Sequence, residues 1–223
     1  SICIDKVGSN PARIENGKWL IDDHMLWRRI HRQEFESTPS IAFDPTDATF
    51  YMANDDKHIY TYNCKEQEAG TINVRSGEFA AVYPNGLIYI SEPGNLLSYN
   101  LDQNIYTCFD FEYNAWKNKR VPEKKHKENY WNNTVNWNPE DSTLISFGGY
   151  GHYQFNHELL ISHPMSSKPQ KRTYIKEIDP RRSAASVLVD SILYVFGGRG
   201  CPSGKQEMTQ RYYYDLHAIN IHS

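Results

Sequence analysis

The sequence lacks any apolar run approaching the ~20 residues that a membrane-spanning helix needs. It also lacks the short apolar core of a secretory leader, and it opens on Ser1 rather than Met, which points to a processed or excised piece of a longer polypeptide. Charge of one sign is scarce: 24 Lys and Arg stand against 27 Asp and Glu, a formal net charge of −3. That balance excludes the basic footprint of a nucleic-acid binder. The one basic run, around Lys124–Lys127, reads as a solvated loop. Cysteine is sparse as well. Cys3, Cys64, Cys108 and Cys201 are far apart with no CxxC pair, which argues against zinc and thioredoxin-like chemistry and predicts free thiols for at least two of them. No GxSxG elbow, HExxH helix, phosphate-binding loop or dinucleotide fingerprint is present. Helical patterning is nearly absent.

Aromatic side chains are abundant instead, with 16 Tyr, 9 Phe and 5 Trp. They suit the pleated surface of sheets. Short β-rich runs recur, broken by Gly, Pro, Asn and Asp. Phe43–Ala53 aligns without gaps on Trp137–Phe147, each reading as strand, tight Pro/Asp turn, strand. Ala80–Ile90 is a shorter version with an Asn-Gly turn, and Ala185–Phe196 is a fourth. Taking Ala53, Ile90, Phe147 and Phe196 as equivalent gives steps near the ~40–50 residues of a propeller blade. Third strands are expected at Ile59–Asn63, Leu96–Asn100, Glu158–Ile161 and Asp215–Asn220. Fourth strands are expected at Gly70–Val74 and Tyr106–Phe111. Four strands per unit in tandem predict an all-β propeller rather than a sandwich.

Phe147-Gly148-Gly149 and Phe196-Gly197-Gly198 close the second strand of successive units, Pro180–Ser183 leads into the last, and Tyr214-Asp215-Leu216 opens its third strand. This pattern resembles the kelch motif over about residues 131–223. The resemblance implies a kelch-like β-propeller of the galactose-oxidase-like superfamily, in the style of bacterial surface or periplasmic domains. Glycine there lets backbones approach closely near the central channel. The chain is then one domain: N-terminal strands in 1–39, then repeats at 40–78, 79–130, 131–180 and 181–223. Four repeats are fewer than the six or seven blades usual for kelch propellers. The chain is therefore either a fragment of a larger ring, the favoured reading, or closed by an N-terminal strand at Leu26–Ile30, with 1–22 adding part of a fifth unit around Gly17–Ile21.

No metal site and no cofactor are expected. His152, His157 and His163 would be spread over both faces of a strand-rich segment. Some kelch-like propellers are copper radical oxidases with a Tyr–Cys cross-link. Tyr106 lies near Cys108, but no residue set here matches that motif, and the sialidase box is missing. Two loops after the double glycines combine aromatic rings with donors, as binding hot spots do. The candidate binding residues are Trp131, His152, Tyr153, Arg182, Arg199, Arg211 and Tyr212, expected on one face. The competing view is that such loops are aromatic because they pack on each other around the channel. The sequence thus predicts a non-catalytic binding or sensor module for a protein or carbohydrate partner, with an extracellular or periplasmic setting favoured over a cytoplasmic one. The alternative is a sugar-active enzyme of epimerase, lyase or oxidase type. Nucleic acid is not expected as a partner, and the rest of a longer polypeptide is.

Overall fold

The structure, a computed structural model, describes residues 31–80, 86–120 (118–120 by backbone alone), 130–166, 168, 170–206 and 209–222, and the backbone of 2–4, 12–15, 18–21 and 28–30. Among these residues there are only strands, paired antiparallel, and no helix. None of the sheets closes into a barrel. At the N-terminus β1 (Ile2–Ile4) pairs with β4 (Arg28–His31), and β2 (Ala12–Glu15) with β3 (Lys18–Ile21). The first sheet is β5 (Ser40–Asp44), β6 (Thr49–Ala53), β7 (His58–Asn63) and β8 (Glu68–Asn73), each strand beside the next. The second is β9 (Gly86–Ile90), β10 (Asn95–Asn100), β11 (Ile105–Asp110) and β12 (Ala115–Arg120). The third is β13 (Thr134–Asn138), β14 (Thr143–Gly151), β15 (Gln154–Ser162) and β16 (Lys171–Tyr174). Beyond it β17 (Arg181–Arg182), β20 (Arg199–Gly200) and β21 (Arg211–Tyr212) make a narrow ribbon. The fourth sheet is β18 (Ala185–Val189), β19 (Ile192–Phe196) and β22 (Leu216–Asn220).

One local device builds these meanders. A strand ends on Asp or Asn, whose side-chain oxygen accepts from backbone N–H groups two or three residues on. Asp44 accepts from Thr46 at 2.8 Å, Asn63 from Lys65 at 2.9 Å, and Asp110 from Glu112 at 2.9 Å. The turn then closes through a left-handed residue just before the next strand: Ala48, Gln67, Asn104, Asn114 or Ser142. The polar end of each strand thus folds the chain back without help from the core.

Packing runs in series. Ala42, Ala53 and Ile59 of the first sheet meet Leu87, Leu96 and Phe109 of the second. Leu97 and Cys108 of the second meet Leu144 and Leu160 of the third. Ile145, Phe147 and Leu159 of the third meet Leu193, Val195 and Ile219 of the fourth. Adjacent apolar residues such as Leu96-Leu97 and Leu144-Ile145 are needed where a strand buries both faces, since successive side chains point opposite ways. The first sheet's other face takes the incoming chain: the His31 ring stacks on Tyr62 at 5.1 Å and Phe35 meets Tyr60 edge-on at 5.2 Å.

Of Leu26–Ile30, which the less favoured of the two readings paired with the last strand, the described part lies in β4 and pairs with Ile2–Ile4, while Leu26 and Trp27 lie outside the described residues. Lys18–Ile21, in the segment expected to add part of a fifth unit, lies in a hairpin with Ala12–Glu15. One expectation is corrected. In the second sheet Gly86–Ile90 is the first strand and not the second, so Ile90 is not equivalent to Ala53. Ala80 is not in a strand, and 81–83 lie outside the described residues. The cause is the path before it. The Arg75 N–H donates to the Asn114 carbonyl and Ser76 accepts from the Trp116 N–H at 2.9 Å, which carries this segment along the outer edge beside β12. The strand β12 then supplies the fourth member that the sequence did not reveal. The thiol expectation holds for the described cysteines, as Cys64, Cys108 and Cys201 are all free.

Candidate functional site

The two double glycines create the site. Gly148 and Gly149, and again Gly197 and Gly198, all have positive φ, a conformation that side chains resist; at the first pair β14 shifts register against β15 and runs on to Gly151, and at the second the chain leaves its sheet. After Gly198 the chain enters the ribbon, in which Arg182 faces Arg199 across one ladder and Arg199 faces Tyr212 across the next. Directly paired residues project from the same face, and their chain neighbours project from the other. Alternation therefore sorts the ribbon into two surfaces.

One surface is closed. It carries Arg181, Gly200 and Arg211. The Arg181 guanidinium donates to both Asp215 carboxylate oxygens, at 2.5 and 3.1 Å, and to the Gly197 carbonyl at 3.1 Å. Its Nε donates to the Asp179 carbonyl at 3.0 Å. The Tyr213 ring lies 4.0 Å from it. Arg211 donates to Asp179 at 2.6 Å. Arg181 above all, and then His217, hold the Asp215 carboxyl well below the usual carboxylate range. Both arginines are thus neutralised.

The other surface is open. Arg182 lies over the Tyr150 ring at 5.0 Å and Arg199 over the Tyr212 ring at 5.6 Å. Trp131 exchanges two backbone hydrogen bonds with Tyr150, which sets its ring beside Tyr150 on the same side of that pair; the indole is nearly half exposed. Ser183 donates to the Asn132 carbonyl at 2.6 Å, tying the Trp131 loop to the ribbon. No carboxylate among the described residues pairs with Arg182 or Arg199, and the Arg199 Nε is sealed from solvent with no acceptor.

The structure brings together Trp131, Arg182, Arg199 and Tyr212, four of the seven residues expected on one face. Arg211 is a correction: its place in β21 turns it to the closed surface, where Asp179 holds it. His152 and Tyr153 form the tight turn between β14 and β15 and stand at the tip of that hairpin. The tip is pinned by the 201–206 loop, with Gln206 donating to the Tyr153 carbonyl at 2.8 Å and Phe155 donating to Gly204 at 2.7 Å. The sequence reading missed Tyr150 as the ring behind Arg182. No alternation could have shown it, because the ribbon strands that face it are two residues each.

No known family matches the chain, and no curated protein does. Solved structures do match its fold. One is the structure of a protein named YjhT, with a TM-score of 0.50 at 13% sequence identity, covering 81% of this chain and 64% of that one. The two share a fold, and this chain spans less than two thirds of the length of that neighbour.

Proposed function

We propose that this chain is a kelch-type β-propeller, whole or in part, that binds a protein or carbohydrate partner through the open surface of the ribbon. Sheets that pack in series, each a four-stranded antiparallel meander in the first three cases, support the propeller reading. The paired double glycines support the kelch reading. The single observation that carries the functional reading is the open surface itself: two half-buried arginines with no carboxylate partner among the described residues, the Tyr150 and Tyr212 rings they lie over, and a half-exposed tryptophan, while the Tyr150 hydroxyl is held by Gln206. Such groups combine large contact area with planar donors. Acid–base catalysis of sugar chemistry would call for a carboxylate or histidine converging there, and the described contacts of this surface include neither.

The test is a double substitution, Arg199→Ala with Tyr212→Ala, compared with the unaltered chain on a glycan array and a peptide library. Binding should fall at least tenfold for whatever the unaltered chain captures, while the melting temperature stays nearly constant: Tyr212 is exposed, where substitution costs within about 0.5 kcal/mol, and the half-buried Arg199 has no carboxylate partner among the described residues to strand. An unfolded variant would mean that these residues pack the ribbon. A folded variant that still binds would move the site elsewhere.

A further inference from the structure

The ribbon holds arginines on both surfaces and treats them in opposite ways. On the closed surface Asp215 and Asp179 balance Arg181 and Arg211. On the open surface Arg182 and Arg199 are direct cross-strand partners, and like charges so placed repel. A guanidinium cannot shed its proton to relieve the repulsion. The Tyr150 and Tyr212 rings offset part of it through their electron-rich faces, and they hold the two planar forks in place. One anionic group set between the two guanidiniums would remove the repulsion.

We propose that Arg182 and Arg199 form a clamp for a single carboxylate of the ligand, with Trp131 as an apolar wall beside it. The inference rests on the reading that this surface is the binding face, and it names what that face selects. A carboxylate fits because its two oxygens match the planar donor forks of arginine. The same group is offered by a uronic-acid residue of a glycan and by the side chain of an acidic peptide, and the shared chemistry is the claim.

Four probes test it by calorimetric titration of the full chain: tetragalacturonate, its methyl ester, a Glu-rich peptide and the same peptide with Gln. At least one charged probe should bind ten times more tightly than its neutral counterpart, and whichever does so identifies the source. That binding should weaken at least tenfold in Arg182→Gln and in Arg199→Gln, each checked for an unchanged melting temperature, and it should be unchanged in Arg211→Gln. Arg182→Lys, which keeps the charge and loses the fork, should also weaken it. Equal affinity for charged and neutral probes, lost on Tyr212→Ala, would overturn the carboxylate clamp and leave the binding face standing. Charged-probe binding that ignores both Gln substitutions would overturn the clamp and the face together. No measurable binding of either charged probe at millimolar concentration would also overturn the clamp.

Discussion

Arg181 keeps a full charge at 1% exposure because its donors are used: two on Asp215, one on the Gly197 carbonyl and one on the Asp179 carbonyl. Removing one partner of such a pair leaves the other charge stranded, at about 3–5 kcal/mol for a fully buried pair. Asp215 is two-fifths exposed, so water screens part of the interaction, and we expect Asp215→Asn to cost about 1–2 kcal/mol at pH 7. The dependence on pH has a definite sign. Arg181 chiefly, and His217 next, depress the Asp215 value in the folded chain, so as pH falls the unfolded chain takes up this proton first. The contribution is fully present above about pH 4, the ordinary carboxylate value, and drains away as pH drops toward the folded value. Melting temperatures between pH 7 and pH 2 should therefore show the gap between the unaltered chain and Asp215→Asn closing at the acid end. A gap that stays constant to pH 2 would mean that the carboxylate contributes through packing alone.

The double glycines mark where a strand shifts register or ends and where another backbone presses close. A Cβ on Gly148, at φ +70°, would stand 2.5 Å from the Arg181 carbonyl oxygen. Gly94 has a similar φ of +82°, but its nearest neighbour would lie at 3.7 Å. Gly94→Ala therefore bears only the left-handed backbone cost, about 1–2 kcal/mol, while Gly148→Ala adds a clash that must displace the ribbon, for about 3–4 kcal/mol in all. Urea unfolding of the two variants measures the difference; equal losses would show that the Gly148 contact yields freely. Features of this kind were legible in the sequence because a Gly-Gly pair after an apolar strand has few other uses. The polar strand ends such as Asp44 and Asn138 were legible too, as turn formers. The ribbon was not: β17, β20 and β21 are two residues each, too short for any alternation to register. The second sheet was misread by one strand for a related reason. Ala80–Tyr83 has strand-like composition, but the hydrogen bonds from Arg75 to Asn114 and from Trp116 to Ser76 join residues about 40 apart and leave no local trace. The candidate binding residues fell between these cases, since their chemistry was visible and their facing was set by the ribbon.

At the scale of the molecule, serial packing decides which side chains are core. The second and third sheets are covered on both faces, so that most residues of β10, β11, β14 and β15 are buried, whereas the fourth alternates. Leu193 and Val195 are fully buried against the third sheet, while Val187, Val189, Tyr194, Phe196 and Leu216 form an exposed apolar face on the opposite side. Phe147 and Phe196 illustrate the difference. Each precedes a left-handed double glycine, yet one is 1% exposed and the other 51%. A contiguous exposed apolar face of this kind marks a surface with a use or a liability to aggregate. Its energetic state can be measured by comparing two valines on the same sheet. Val195→Ala removes methyls from a sealed core and should cost about 2 kcal/mol. Val187→Lys places a charge on the exposed face and should leave stability within about 0.5 kcal/mol. It should also lower the fluorescence of a dye that binds apolar surface and reduce self-association in sedimentation. If Val187→Lys instead melts the chain as severely as Val195→Ala does, a further part of the polypeptide covers this face in solution, and the fourth sheet is as fully enclosed as the second and third.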